Sequence, residues 1–169
     1  ALEVRRRVLG EEHPDTIRSI NDLAQCVAAE GEFSVARVLQ EQALGASLRI
    51  LGEEHPDTCR AMANQARILQ ALGDFSAASQ LHQSVLDIRL RVLGKDHPDT
   101  LASLNDLAQA RLAKGEFAAA TELQQQALEA RGRILGEEHP DTLTSMNDMA
   151  HCLMARGESH ISILLTWST

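Results

Sequence analysis

The stretch GEEHPDT, at Gly10–Thr16, governs how the rest of the sequence is interpreted. Two identical copies and one near copy, GKDHPDT, follow it at intervals of 42 residues. These copies are Gly52–Thr58, Gly136–Thr142 and, for GKDHPDT, Gly94–Thr100. In a longer window, Ala1–Gly31 and Ala127–Gly157 share 20 of 31 residues. A fixed period of this size is the sequence signature of a repeat protein.

Each repeat predicts two helices, and the first begins at the proline of HPDT. Proline suits the first helical position because its missing N–H is not needed there. The aspartate after it places negative charge at the helix N-terminus. Apolar residues then recur at helical spacing, as at Ile17, Ile20 and Ala24, until a glycine turn reading GEF or GDF. The predicted starts are Pro14, Pro56, Pro98 and Pro140, and the predicted ends are Gly31, Gly73, Gly115 and Gly157.

The second helix of each repeat follows a phenylalanine, which is Phe33, Phe75 or Phe117. Alanine comes three residues later and leucines follow at helical spacing, which predicts a helix of about 19 residues. Gly45 and Gly132 lie inside these helices, where each glycine is expected to cost about 0.8–1 kcal/mol relative to alanine.

The pattern of a small residue, a glycine turn, an aromatic residue and then alanine resembles the tetratricopeptide repeat. Repeats reading LGEEHPDT, NDLA, GEF and QALE resemble its kinesin light chain type, with a period of 42 residues. The resemblance extends over residues 1–158 and implies an all-α fold, a right-handed superhelix (solenoid) of helix-turn-helix repeats. The predicted segments are 1–13 (the end of a preceding second helix and its connector), 14–55, 56–97 and 98–139 (repeats 1 to 3), and 140–169 (a partial repeat 4).

The resemblance also implies a function, a scaffold that binds a peptide or a partner helix in a groove lined by the first helices. Asparagine in such a groove can hydrogen-bond a peptide backbone, and arginine can hold a carboxylate with two parallel hydrogen bonds. The implied groove candidates are Arg18, Asn21, Asp22, Gln25, Arg60, Asn64, Arg67, Asn105, Asp106, Gln109, Asn147, Asp148 and His151.

The charge of this groove leaves two interpretations open. Arg18, Arg60 and Arg67 predict a basic patch over the first two repeats, which suits the acidic peptides that kinesin light chains bind. Aspartates stand where the family often has a second asparagine, at Asp22, Asp106 and Asp148. The alternative interpretation is a solvated polar face whose arginines and aspartates pair with one another.

Several other functions are disfavoured by the sequence. A net charge of −8 argues against nucleic acid and anionic membranes as partners. No apolar run approaches the ~20 residues that cross a bilayer, and we see no signal peptide, so we expect a cytoplasmic protein. The histidines of successive HPDT copies lie on helices packed about 8–10 Å apart, too far to share a metal ion. We therefore predict no enzyme, no metal site and no cofactor.

Five side chains depart from the pattern or carry a reactive group. Cys26, Cys59 and Cys152 lack metal-binding spacing and are predicted to be free, buried thiols. Arg111 occupies a position that is apolar in the other repeats, so we expect it to extend to the surface or to pair with a carboxylate. Gln65 replaces leucine or methionine, which predicts looser packing in the second repeat.

Both ends of the sequence differ from the repeat. The first residues match the second half of a second helix. After Gly157, Ser159 and Ser162 replace the expected phenylalanine and alanine, and Leu165 alone keeps its expected leucine position. Helix faces left uncovered at the ends support a second hypothesis, a structural element that stacks end to end as a homo-oligomer or regulates a larger multidomain signalling protein.

Overall fold

The computed structural model describes residues 2–157, and this range contains eight α-helices and no strand. The helices are α1 (Leu2–Leu9), α2 (Pro14–Ala29), α3 (Phe33–Leu51), α4 (Pro56–Ala71), α5 (Phe75–Leu93), α6 (Pro98–Ala113), α7 (Phe117–Leu135) and α8 (Pro140–Ala155). The prediction that first helices begin at the HPDT prolines is confirmed. The second helices begin at the predicted phenylalanines and have the predicted 19 residues.

The histidine of each HPDT copy caps the helix that follows. His13 Nδ1 accepts a hydrogen bond from the backbone N–H of Asp15 at 3.1 Å. His55, His97 and His139 accept the same bond from the aspartate two residues later, at 3.1–3.2 Å. A helix begins with backbone N–H groups that have no partner within the helix, and this bond satisfies one of them. The repeated histidines therefore have a structural role that their sequence pattern left unassigned.

Replacing His55 with alanine is expected to lower the free energy of unfolding by about 1 kcal/mol, the usual cost of losing an N-cap acceptor. His55→Asn is the matched control, because an asparagine side chain accepts the same bond. Urea unfolding of both variants checks the prediction. Equal losses would show that the imidazole matters through its packing and not as a cap.

The threonine of each HPDT copy belongs to the core. Thr16, Thr58, Thr100 and Thr142 are completely buried, and their hydroxyl oxygens lack a hydrogen-bond partner. The side chain therefore contributes through its shape and not through the chemistry of its hydroxyl.

The first helices end in glycine turns. The Gly31 N–H bonds the Ala28 carbonyl, and the Glu32 N–H reaches back to the Val27 carbonyl at 3.1 Å. This pairing is a Schellman motif, which satisfies carbonyls at the helix end and places its glycine at positive φ. Gly31 has φ +88°, and the same two bonds recur at Gly73 and Gly115.

The chain divides into two compact units, Ala1–Ile88 and Arg89–Thr169, with the boundary inside α5. In the N-terminal unit, α1 packs on α2, and α3 packs against both α2 and α4. One core cluster comprises Ile17, Ile20, Ala43 and Ala46, and another comprises Cys59, Met62, Val85 and Ile88. In the C-terminal unit, α7 packs against α6 and α8, and Leu128 covers the buried pair Met149 and Leu153.

One prediction about packing is wrong. Cys59 and Cys152 are buried free thiols, as predicted, but Cys26 is exposed. Gln65 is one of the nine residues that α4 buries, and looser packing of the second repeat stays a prediction. The side-chain carbonyl of Gln65 is buried without a hydrogen-bond partner.

Candidate functional site

Oppositely charged side chains alternate along the neighbouring helices α2 and α4. Arg18 reaches Asp15 at 3.5 Å and, across the helix pair, Asp57 at 3.3 Å. Arg60 contacts the other carboxylate oxygen of Asp57 at 3.1 Å. Two of the three arginines in the predicted basic patch are thus paired with aspartates of the same unit. These exposed pairs contribute little to stability, but a ligand carboxylate would have to compete with them.

A buried amide network lies beneath this charged row. Gln40 on α3 donates from Nε2 to Asn21 Oδ1 at 2.8 Å and to the Ala61 carbonyl at 3.1 Å. Asn64 donates to the same Asn21 oxygen at 3.2 Å. Asn21 and Asn64 are only 3% and 5% exposed. These two asparagines, which are predicted groove residues, join α2, α3 and α4.

Arg67 and Gln25 lie on the exposed part of the same face. Arg67 donates to Asn64 Oδ1 at 3.2 Å, so the buried network orients its guanidinium. The two side chains border an open pocket of about 180 Å³ that is also lined by Ala28, Phe33, Asn64 and Ile68. The pocket combines an apolar wall with amide and guanidinium donors at its rim. Such a combination suits an apolar side chain next to a carboxylate.

The equivalent face of the C-terminal unit, on α6 and α8, has a different composition. Asn105 accepts a hydrogen bond from Gln124, which repeats the Asn21–Gln40 pairing. The predicted candidates Asp106 and Asp148 are half-buried, and Gln109, Asn147 and His151 are exposed. Ala102, Thr144 and His151 stand at the positions that Arg18, Arg60 and Arg67 occupy in the N-terminal unit.

Asp148 influences a buried thiol nearby. Its Oδ2 atom is buried and accepts no hydrogen bond. Burial raises the pKa of Cys152, and the negative charge of Asp148 raises it further. Cys152 is therefore held as the neutral thiol and not as a reactive thiolate.

Arg111 pairs with a carboxylate, which is one of the two outcomes that the sequence predicted. It approaches Glu116 at 4.0 Å in the turn after α6, where Lys114 also bonds Glu116 at 2.6 Å. The hydrogen bond from Lys114 lowers the pKa of Glu116, and the positive charges of Lys114 and Arg111 reinforce the shift. Arg111 therefore contacts the turn that follows α6.

Two pairings of distant residues recur along the chain, and both are changed at α4. Arginine donates to a serine 14 residues later in the pairs Arg5–Ser19, Arg89–Ser103 and Arg131–Ser145. The equivalent positions 47 and 61 hold Ser47 and Ala61, both buried and both lining one small cavity.

The asparagine–glutamine pair changes in the same repeat. Where the other repeats pair Asn21 with Gln40 and Asn105 with Gln124, the second repeat has Ala63 and His82. His82 is buried, and its Nε2 atom lies 3.1 Å from Gln70 Oε1. In both pairings, the two partners change together in the same part of the sequence. This joint change, at spacings of 14 and 19 residues, is the signal in the sequence that could have identified the contacts.

Two other kinds of feature, metal sites and membrane-spanning helices, are not found in the part of the chain that the structure describes. No group of three or more His, Cys, Asp or Glu side chains there is arranged to hold a metal ion. Within the same range, no helix has both the length and the apolar character needed to cross a membrane.

Comparison with known proteins identifies the class of this fold. A family model described as tetratricopeptide repeat matches residues 1–49, 36–91 and 78–132. The chain belongs to the tetratricopeptide repeat family, whose members generally mediate protein–protein interaction and act as non-catalytic scaffolds. No curated protein sequence matched the chain.

Solved structures place the chain close to kinesin light chain-like members of this family. A point variant of a candidate kinesin light chain from Podosopora anserina, built of nearly identical TPR-like repeats, has a TM-score of 0.86 and 30% identity over 98% of this chain and 79% of its own. A second structure of that protein has a TM-score of 0.81 and 32% identity over 92% of this chain and 74% of its own. BtubC (BKLC) from P. vanneervenii has a TM-score of 0.77 and 21% identity over 86% of this chain and 59% of its own. At this identity the match shows the fold alone.

Proposed function

We propose that this chain is a scaffold that binds an extended peptide or a partner helix on the face formed by α2 and α4. The pocket between Gln25 and Arg67 is the observation that carries the proposal. Its apolar wall takes an anchoring side chain, and the exposed guanidinium of Arg67 takes a carboxylate next to that anchor. A ligand of this kind would resemble the acidic peptides with an apolar anchor that kinesin light chains bind.

The three arginines of the predicted patch contribute unequally in this proposal. Arg18 and Arg60 already contact Asp57, so a ligand gains less from them after displacing that contact. Arg67 lines the pocket itself, so its guanidinium lies beside the position of the anchoring side chain, where it can hold a carboxylate with two hydrogen bonds. We therefore expect Arg67 to dominate the recognition of acidic peptides.

A random peptide display library, screened with the purified chain at low and at moderate salt, tests the proposal. The expected result is a shared motif of one apolar residue with acidic neighbours, whose binding weakens as salt screens the charges. Arg67→Ala is expected to weaken the selected peptide at least about tenfold, the scale of losing a hydrogen bond to a charged group.

Two further variants sharpen this test. Arg60→Ala is expected to change affinity less than about threefold, since its carboxylate partner is already supplied by Asp57. Arg37→Ala removes an exposed arginine of α3 that pairs with Glu41, and it should leave affinity unchanged. A folded chain that enriches no motif, or a motif insensitive to Arg67→Ala, would contradict the proposed site.

A further inference from the structure

A small cavity lies between α2, α3 and α4, at the place where the recurring arginine–serine contact is changed. Elsewhere between residues 2 and 157, the end of a second helix provides an arginine that donates to a serine of the next first helix. These pairs are Arg5–Ser19, Arg89–Ser103 and Arg131–Ser145. The corresponding residues of α3 and α4 are Ser47 and Ala61, and both line a cavity of about 10 Å³. The cavity therefore lies where the other pairs place a guanidinium and a serine hydroxyl.

The wall of this cavity is buried on one side and exposed on the other. Ser47, Ala61 and Asn21, which line it, are only 1–3% exposed. On the solvent side it borders Arg18 and Arg60, which contact Asp57 and are 49% and 43% exposed. A space of this volume holds about one group of the size of a water molecule. It therefore has room for one hydroxyl or methyl group that enters from the solvent side.

The polar groups of the cavity favour a hydroxyl group over a methyl group. Asn21 accepts hydrogen bonds at Oδ1 from Gln40 and Asn64, whereas its buried Nδ2 atom has no partner among residues 2–157. Leaving such a donor unpaired costs free energy, because folding has removed it from water. A hydroxyl group can accept from Asn21 and donate to the hydroxyl of Ser47, and a methyl group can do neither.

The cavity and the pocket between Gln25 and Arg67 follow one another along the same two helices. The first halves of α2 and α4 line the cavity, the second halves line the pocket, and the two share no lining residue. At about 1.5 Å per helical residue, their centres lie about 10–14 Å apart along the helix axes. An extended peptide advances about 3.3 Å per residue, so this distance corresponds to about three or four of its residues.

We propose that the cavity is a second subsite of the face formed by α2 and α4, and that it binds the hydroxyl group of a serine or threonine in an extended peptide. This residue lies about three or four positions from the apolar anchor. The inference rests on the proposed function, because the anchor in the pocket between Gln25 and Arg67 sets the register. A peptide hydroxyl reproduces the hydrogen bonds that a water molecule makes in such a cavity, whereas an alanine methyl group displaces the water without replacing them.

The random peptide library described above tests this inference once the selected sequences are aligned on their apolar anchor. Serine and threonine are expected to be enriched about three or four positions from the anchor, on one side of it. A selected serine peptide should bind about three- to tenfold more tightly than its alanine counterpart, the scale of one or two neutral hydrogen bonds. Isothermal titration calorimetry measures the two affinities.

The outcomes separate this inference from the proposed function. A shared apolar and acidic motif without a hydroxyl preference at this spacing would overturn the inference alone. Equal affinities of the serine and alanine peptides would do the same, because they would mean that only water occupies the cavity. Absence of any motif would contradict the proposed function and this inference with it.

A double variant, Ser47→Arg with Ala61→Ser, fills the cavity with the pair that occurs at the three other places and changes no residue of the pocket. It should abolish the preference for serine over alanine and keep the dependence of binding on Arg67. Urea unfolding checks that this variant is folded. A serine preference that persists in the folded double variant would show that the hydroxyl binds outside the cavity.

Ser47→Ala is a milder variant that removes only one polar partner. It is expected to lower the ratio of the serine and alanine peptide affinities at least about twofold, the lower end of coupling between groups in contact. Ser34→Ala is the matched control, because Ser34 is an exposed serine of the same helix, and it should leave the ratio unchanged. The same ratio in Ser47→Ala as in the wild type would contradict the subsite.

Discussion

Replacing Gln40 with glutamate is expected to lower the free energy of unfolding by about 3–5 kcal/mol at neutral pH, the scale of leaving an uncompensated charge buried. The two side chains have almost the same shape. Glutamate would, however, place a charged acceptor against two other acceptors, Asn21 Oδ1 and the Ala61 carbonyl, which Gln40 contacts at 2.8 and 3.1 Å. Urea unfolding at pH 7 measures the loss.

The pH dependence of this variant has a definite sign. A protonated glutamate can donate a hydrogen bond as the amide does, so the folded state favours the protonated form and raises the pKa of the new carboxyl group. The unfolded chain releases that proton near pH 4.3, so the loss of stability is absent below about this pH and grows as the pH rises above it. Wild-type and variant curves should therefore converge in acid.

Gln42→Glu is the matched control, because Gln42 is exposed on the same helix and its replacement should change stability by less than about 0.5 kcal/mol. Gln124→Glu should reproduce the large effect in the C-terminal unit, where Gln124 donates to Asn105. A Gln40→Glu variant as stable as Gln42→Glu at pH 7 would show that the network is hydrated and not buried.

Two glycines four residues apart in the C-terminal unit are expected to respond oppositely to alanine. Gly136 has φ +92° and ψ +161°, a conformation available essentially to glycine alone, so Gly136→Ala should destabilise by about 1–3 kcal/mol. Gly132 lies inside α7, where Gly132→Ala should stabilise by about 0.8–1 kcal/mol. Thermal unfolding of the two variants measures the difference.

The comparison measures the effect of backbone conformation, because an added Cβ atom meets no neighbouring atom within 4 Å at either position. Contacts with other parts of the chain therefore do not account for a difference, and each variant serves as the control for the other. Equal effects at both sites would mean that the connector after α7 adopts another backbone conformation in solution.

The helices could be predicted from sequence because their boundaries depend on local chemistry. Proline at Pro14 and Pro56, and glycine at Gly31, restrict the backbone wherever they occur, and the 42-residue period repeats that information. The histidine cap was equally local, but histidine is not among the usual capping residues, so the sequence did not assign the histidines this role.

The candidate site was harder to predict because exposure depends on packing between helices. Helical spacing places Arg18, Asn21 and Gln25 on one side of α2. The sequence does not specify that α3 and α4 both approach that side, and their approach buries Asn21 while Gln25 stays exposed. The pairing of Arg18 with Asp57 likewise joins residues on two helices that are 39 positions apart in the sequence.

Because of the arginine–serine contacts, the repeats are not interchangeable when a repeat is gained or lost. Each contact joins the end of one second helix to the next first helix, so a fusion between repeats creates a new pair. Loss of residues 98–139 would bring Arg89 to Ser145 and recreate a matched pair. Loss of 56–97 would instead set Ser47 against Ser103, without the arginine that this serine bonds at 2.7 Å. Gain or loss of a repeat would therefore keep the arginine–serine contact at some junctions and remove it at others.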